Sequence, residues 1–590
     1  MDDSAPRAEP NGVRTASITH GVRPSPAEVA NRVMPRSSPA GAELLLRKPG
    51  RLMSTSISVA NWRSRAHMSI ASVVRVAAAR FGPDVAVEDG TTSLTFRELS
   101  DRVHRLAAGL AQIGVEPGRT VLVLLPNSTA AIEIDLALTI GGYVRVALNP
   151  RVGERDWVRI MADCAPAALI FDPAVAGARE FALRSPTEIV IAAGAGDDLP
   201  SLDDVLARAP ESFALPDLDP RSLCALHYSS GTTGVPKGAQ RSHANRLASL
   251  RAMREHVLAG TLDGAERPVF VHAGPIIHTS GLFVLPLLEA GARQVILDHA
   301  RPADVIAAVG RHAATHTALV PTVIARMLDF DDARLTPMRR LRMLAYAGAP
   351  MPVEHIRQAY QRITPNLVQY YGMVEAIPPL TVLDAADHHR GMTDDPRLLS
   401  SVGRPCPGIE IEFRDGDRPV PDGEIGELVV SGAAVSPGYH NAGARTDLGK
   451  NHADGVLYSG DLGLRTATGC IHLTGRSKDM IITGGYNVYP REVEEVISGI
   501  AGVNDVVVVG LPDSVWGQRI AAAYTVHSGA ALDDDSLLAE CRDRLPDFKR
   551  PKSVHRVEAI PLTHLGKVDR TNAARMLERR TQGASSPFTH

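Results

Sequence analysis

From residue 69 onward, helical periodicity alternates with short apolar strand runs along most of the chain, and this alternation restricts the fold more than any other feature. Leu94 opens a helix that runs through Ile113, with Gly114 as its stop. Val121-Leu122-Val123-Leu124-Leu125 reads as a buried strand ahead of Pro126. A second helix, Ala130 to Ile140, ends at Gly141-Gly142, and a strand and the turn Leu148-Asn149-Pro150 follow. The unit recurs around Val269-Phe270-Val271, Gln294 to Leu297 and Met343 to Tyr346. Strands linked by helical crossovers run parallel and are covered by helices. Around Ile409 to Val430 the texture changes to short alternating strands with Gly, Pro and Asp turns, which suggests a small β-barrel or antiparallel sheet. After Gly475 come a helix from Arg491 to Ile497, a strand at Val506 to Val509 and a helix near Ser536 to Leu545. That segment reads as a separate α+β domain of roughly 100 residues, a usual domain size.

A chain of 590 residues is too long for one ordinary core. The expected division is a disordered extension over 1–67, a large domain over 68–477, a small one over 478–580 and a flexible tail over 581–590. The extension is rich in Pro, Ser and Arg and lacks sustained periodicity. It has no compact apolar core after a basic start, so it does not read as a secretory signal. Met68 directly precedes the first amphipathic pattern, Ser69 to Val74, so part of the extension reads as an over-long assigned start. Net charge is -3, which leaves no global basic footprint for nucleic acid. No apolar run is long enough to span a bilayer. Cys164, Cys224, Cys406, Cys470 and Cys541 stand singly, without a CxxC, as in a reduced cytoplasmic protein. His388-His389 reads as part of a solvated polar loop, without further metal ligands.

The chemistry is concentrated in Tyr228-Ser229-Ser230-Gly231-Thr232-Thr233-Gly234-Val235-Pro236-Lys237-Gly238. Glycines let a loop bring backbone N–H groups close to an anion. Ser229, Ser230, Thr232 and Thr233 add hydroxyl donors. Lys237 adds a compact charge suited to phosphate oxygens. Lysine is scarce: it supplies seven of the 63 Lys and Arg residues, and none but Lys237 falls between Lys48 and Lys450. The run is not a Walker A loop, because Lys237 follows Pro236 and precedes Gly238. It resembles the phosphate-loop signature of the adenylate-forming superfamily, which holds acyl-CoA synthetases, peptide-synthetase adenylation domains and beetle luciferases.

Further motifs keep that family's order. Gly274-Pro275-Ile276-Ile277-His278-Thr279-Ser280-Gly281 resembles its fourth core motif, which implies that His278 sits at the mouth of the acyl pocket. Ala347-Gly348-Ala349-Pro350 resembles the adenine-binding loop. Tyr371-Gly372-Met373-Val374-Glu375 resembles the fifth motif, with Tyr371 stacking on adenine and Glu375 holding Mg²⁺. Val374 stands where the family has threonine, so one expected hydrogen bond to the α-phosphate is lost. Gly403-Arg404-Pro405, Gly423 to Leu428 and Gly438-Tyr439 match the sixth motif as turns. Tyr458 to Gly463 matches the seventh, which implies that Asp461 accepts the ribose hydroxyls. By the same resemblance Arg476 contacts ribose or phosphate, Lys478 is the hinge, and Gly484, Gly485 and Tyr486 line the CoA tunnel. Lys567, closing Pro561 to Lys567, bridges the carboxylate nucleophile and the α-phosphate.

The resemblance implies an α/β fold: a large N-terminal domain of two αβ layered subdomains plus a small β-barrel, followed by a mobile C-terminal α+β domain. It implies an acyl-CoA synthetase that uses ATP, Mg²⁺ and CoA to activate a carboxylic acid. An enzyme loading a carrier-protein thiol and a weakly catalytic nucleotide-binding homologue are the alternatives, and a homodimer is left open. The implied acyl pocket, near His278, Gly281, Leu282, Val320, Tyr346, Met373 and Val374, is mostly apolar in sequence and offers no obvious buried cation. That favours a fatty or aromatic monocarboxylic acid over a diacid.

Overall fold

The computed structural model describes residues 68–194, 198–229, 237–264, 266–441, 452–453, 455–527, 529–563 and 567–583. The expected extension over 1–67 lies outside them, as do most of the tail and residues 230–236 of the glycine-rich run.

Two sheets carry the alternating pattern. The first orders its strands as Ile189–Ala192, Ala168–Phe171, Thr120–Leu124, Val144–Leu148, Leu223–Ser229 and Lys237–Ser242. All its pairs are parallel except the last, an antiparallel hairpin. The second has nine strands, and the six in its middle are parallel: Leu367–Tyr371, Met343–Tyr346, His316–Leu319, Val269–His272, Arg293–Ile296 and Val85–Glu88. The later chain forms an antiparallel sheet around Ile409–Asp415, Gly426–Gly432 and Val456–Arg465. A last sheet is built on the long pair Val503–Asp513 and Gly517–Val526. No helix among the described residues is long and apolar enough to cross a membrane.

Helix limits follow local chemistry. Ser69 caps Ile70–Phe81 through a reciprocal bond with Ser72. The helix expected from Leu94 starts instead at Phe96, because Ser93–Thr95 pairs with Val85–Glu88 and Thr95 closes a capping box with Glu98. Thr129–Ile140 is buried almost all round, the pattern of a core helix. It therefore carries two buried carboxylates, Glu133 and Asp135, into the interior. Each needs a cationic partner there. Glu133 takes Arg102, 3.0 Å away. Asp135 takes Arg145 and Arg246.

His388 and His389 differ from the expected solvated loop. They lie in the helix Ala385–Thr393, and His388 is fully buried. Its Nδ1 donates to the Asp384 carbonyl at 2.7 Å and its Nε2 accepts from the Tyr346 hydroxyl at 2.9 Å. Histidine inside an apolar layer is satisfied by such pairing, which a polar-looking sequence hides.

Candidate active site

Tyr371 ends the strand Leu367–Tyr371, and its hydroxyl donates to Asp461 Oδ2 at 2.5 Å. Asp461 and Arg476 are register partners on neighbouring antiparallel strands, with Arg476 Nε 2.8 Å from Asp461 Oδ1. Burial, reinforced by Asp461, pushes the Tyr371 phenol well above its ordinary pKa. Glu375 Oε1 accepts from the Tyr439 hydroxyl at 2.6 Å. Gly348 has φ +89, and a Cβ added there would lie 3.7 Å from Lys567 Cε. Burial lowers the Lys567 pKa and nearby Arg476 lowers it further, while Asp461 and Glu375 oppose both. Gly348, Tyr371, Glu375, Asp461, Arg476 and Lys567 are thus brought together from separate stretches of chain. Ala349 and Pro350 continue the Gly348 loop at the surface. Lys478 lies in the short turn Ser477–Asp479, its pKa also lowered by burial.

Among the described residues no three His, Cys, Asp or Glu side chains form a metal cluster. Mg²⁺ does not require one. It commonly takes one or two carboxylates and completes its shell with phosphate oxygens and water. Glu375 beside the lysine-bearing site fits that pattern.

At the base of the glycine-rich run, Ser229 pairs with Lys237 across the hairpin. Ser230, Gly231, Thr232, Thr233 and Gly234 lie outside the described residues. The hairpin base is fixed by Tyr228, whose hydroxyl donates to Asp163 Oδ2 at 2.6 Å. Gly238 is needed there, because a Cβ would stand 2.7 Å from Tyr228 Cζ. Val374 packs against Ala239 and Tyr439. An apolar contact therefore takes the place of the missing hydroxyl.

Around the expected acyl pocket, a Cβ on Gly281 would fall 2.1 Å from the Ile276 carbonyl oxygen, so only glycine lets this turn close. A Cβ on Gly372 would fall 2.8 Å from Pro378 Cγ. His278 Nδ1 lies 2.8 Å from His227 Nε2. Burial, then the Arg241 charge, keeps His227 well below its ordinary pKa, so it is a neutral imidazole. Leu282 packs beside Phe270, Phe283 and Tyr370, and Met373 packs beside Ala376 and Leu380. Tyr346 does not join them. It is fully buried on the other face of Met343–Tyr346, bonded to His388 and Gln369. Side chains alternate along a strand, and the neighbouring Ala345 and Ala347 are the ones that face Phe270 and Tyr370.

His278, Gly281 and Leu282 line a cavity that also meets Arg145, Arg241 and Arg246. The absence of a buried cation expected from sequence is therefore not observed. Neither His227 nor these arginines stand in the motifs. Arg145 and His227 each show in sequence as a polar residue inside a mainly apolar strand, whereas Arg241 and Arg246 carry no such signal.

Gly484 and Gly485, at φ +57 and +83, form the two-residue turn joining Ile481–Thr483 to Tyr486–Val488. Positive φ at both central positions suits such a hairpin. Tyr486 is 56% exposed and stacks on Phe548 at 4.8 Å.

Comparison with known proteins places this geometry. Residues 74–440 match the AMP-binding enzyme family, and residues 492–567 match the AMP-binding enzyme C-terminal domain. A feruloyl-CoA synthase from Streptomyces sp is 36% identical over 83% of this chain and 95% of its own. The medium/long-chain-fatty-acid–CoA ligase FadD8 of Mycobacterium tuberculosis is 31% identical over 82% of this chain and 85% of its own. The solved structure of the amide bond synthetase McbA from Marinactinospora thermotolerans superposes with a TM-score of 0.77 at 31% identity, covering 86% of this chain and 99% of that one. The chain belongs to the AMP-binding enzymes, the adenylate-forming superfamily, among relatives that are acyl-CoA ligases.

Proposed function

We propose that the protein is an ATP-dependent acid–CoA ligase that activates a fatty or aromatic carboxylic acid. The convergence of Lys567, Asp461, Arg476 and Glu375 beside the Gly348 loop carries this reading. A carboxylate is a poor acyl donor because its leaving group is oxide. In the first step its oxygen attacks the α-phosphorus of ATP, and pyrophosphate leaves. Positioning and charge stabilisation supply most of the acceleration. Lys567 holds the acid carboxylate against the α-phosphate, and Asp461 accepts the ribose hydroxyls. Tyr371 offers its ring to adenine, and Lys237 with the loop 230–236 holds the outer phosphates. A Mg²⁺ on Glu375 would supply neutralisation of phosphate charge. In the second step the CoA thiol attacks the acyl carbon, its proton is lost to solvent, and AMP leaves.

In this reading the boundary at 477/478 separates two domains. The small one turns about Lys478 between the steps, withdrawing Lys567 and presenting Gly484, Gly485 and Tyr486 to the thiol. All five cysteines are buried free thiols, which fits a cytoplasmic setting.

The likeness to an amide bond synthetase supports a second reading, in which an amine takes the acyl group from the same adenylate. The test supplies ATP, Mg²⁺ and a panel of acids with CoA, a phosphopantetheinyl carrier protein or an amine. Acid-dependent AMP release with acyl-CoA as product is expected. Acyl transfer to the amine or the carrier in preference to CoA would contradict the CoA reading.

A further inference from the structure

Two arginines face each other across a gap in the first sheet. Arg145 pairs with Ala225, and Ala225 pairs with Arg241, so the three stand in one row over neighbouring strands. Strands lie about 4.8 Å apart, so small Ala225 leaves a notch between two long cations. His227, two residues further along the same strand, points to the same face and meets His278. The core helix Thr129–Ile140 brings Asp135 to this space, and the helix His243–Ala252 brings Arg246.

The charges there do not cancel. Asp135 is the carboxylate lining the cavity, against three guanidiniums. Arg145 Nε lies 2.8 Å from Asp135 Oδ1, and Arg246 also pairs with Asp135 and donates to Thr139 Oγ1 at 2.6 Å. Burial alone would raise the Asp135 carboxyl, but Arg246 and Arg145 outweigh it and hold it ionised. Arg241 is left over: its Nε is enclosed without a hydrogen-bond partner. Burial, and Arg145 beside it, push its pKa down to about 10, so it is still a cation near neutral pH. A guanidinium edge enclosed without an acceptor is costly unless a ligand completes it. Ile276, Ile277, Leu282 and Leu285 add apolar walls beside Ser249 and His278, and the cavity volume is about 50 Å³. That exceeds the roughly 10–15 Å³ that one water needs and admits an end group the size of a carboxylate or sulfonate.

We propose that this cavity receives the far end of the acid substrate, and that this end carries a second anionic group, a carboxylate or sulfonate, held by Arg241. The inference rests on the acid-activating reading above and narrows its substrate. A planar guanidinium offers a fork that matches two oxygens. The apolar walls beside it take the aliphatic or aromatic frame between the two acid groups. Arg145 and Arg246 stay on Asp135 and keep the fork's surroundings positive.

The test measures acid-dependent ATP–pyrophosphate exchange on matched pairs differing in the far group: adipate against hexanoate, suberate against octanoate, and 4-carboxycinnamate against 4-methylcinnamate. The wild-type protein is expected to favour the dianionic member of at least one pair by tenfold or more in kcat/KM. Arg241→Met is expected to lower kcat/KM for that member about 100-fold and for its methyl partner far less, so that the preference collapses. Arg241→Lys, which keeps the charge without the fork, is expected to fall between. A wild-type preference for the methyl-ended acid in every pair would overturn the proposal without needing any variant. Equal loss for both members, with a raised KM for ATP or pyrophosphate, would also overturn it and assign Arg241 to the phosphates. Absence of exchange with every acid would overturn the acid-activating reading itself.

Discussion

Val374 shows how one side chain sets a compromise in the proposed nucleotide site. It packs against Ala239 and Tyr439, and the Tyr439 hydroxyl in turn holds Glu375. Threonine at this position would restore a hydroxyl facing the α-phosphate in the proposed site, but it would place a polar atom against that apolar contact. Val374→Thr is therefore expected to raise adenylation kcat/KM about fivefold, the worth of one hydrogen bond. It is also expected to cost roughly 1 kcal/mol of stability, since valine and threonine are not interchangeable in a packed site. Exchange kinetics and urea unfolding on the same sample would check both signs. An unchanged rate would mean that the position no longer addresses phosphate. Arg241 is the second residue with a decisive test. Together the two positions separate what the site does to ATP from what it does to the acid.

At the scale of elements, the turn at Gly484-Gly485 serves one half-reaction in the proposed cycle. A Cβ on Gly484 would fall 2.7 Å from Trp516 Cε3, and φ +57 disfavours any other residue. Gly484→Ala is expected to cost about 1–2 kcal/mol in that hairpin. It is expected to slow thioester formation at least tenfold while leaving pyrophosphate exchange nearly intact; loss of exchange to the same degree would contradict the assignment. The same scale shows what was legible in sequence. Met343–Tyr346 and Thr129–Ile140 emerge nearly as their apolar runs suggest, because buried parallel strands and core helices leave continuous hydrophobic signals. Asp461, Arg476 and Lys567 were legible as motif residues, and the structure brings them together. The face of Tyr346 was not legible, because one step along a strand reverses it and only the packed layers tell which side is which. Arg145 and Arg241 were hidden for a related reason. Their opposition through Ala225 is a matter of register between strands far apart in sequence.

Across the whole molecule, buried histidines tie stability to pH. Burial holds His272 and His388 near pKa 4, against an ordinary value of about 6.5. Below about pH 6.5 the unfolded chain therefore binds protons that the folded one refuses, and stability falls as pH drops toward 4. Each such histidine contributes at most about 1.4 kcal/mol per pH unit over that window. Urea midpoints are expected to drop from pH 7.5 to pH 5.5, with a shallower drop in His388→Gln. Equal slopes in both proteins would remove His388 from this account. The proposed catalytic cycle is also a property of the whole chain, because in it Lys567 serves one step and is withdrawn for the other. The most direct measurement of that claim is the pair of half-reactions in Lys567→Ala. Acid-dependent pyrophosphate exchange is expected to fall about 1,000-fold, the scale lost with one transition-state charge contact, while acyl-CoA formation from supplied acyl-adenylate and CoA proceeds near the wild-type rate. Equal loss of both half-reactions would contradict the account.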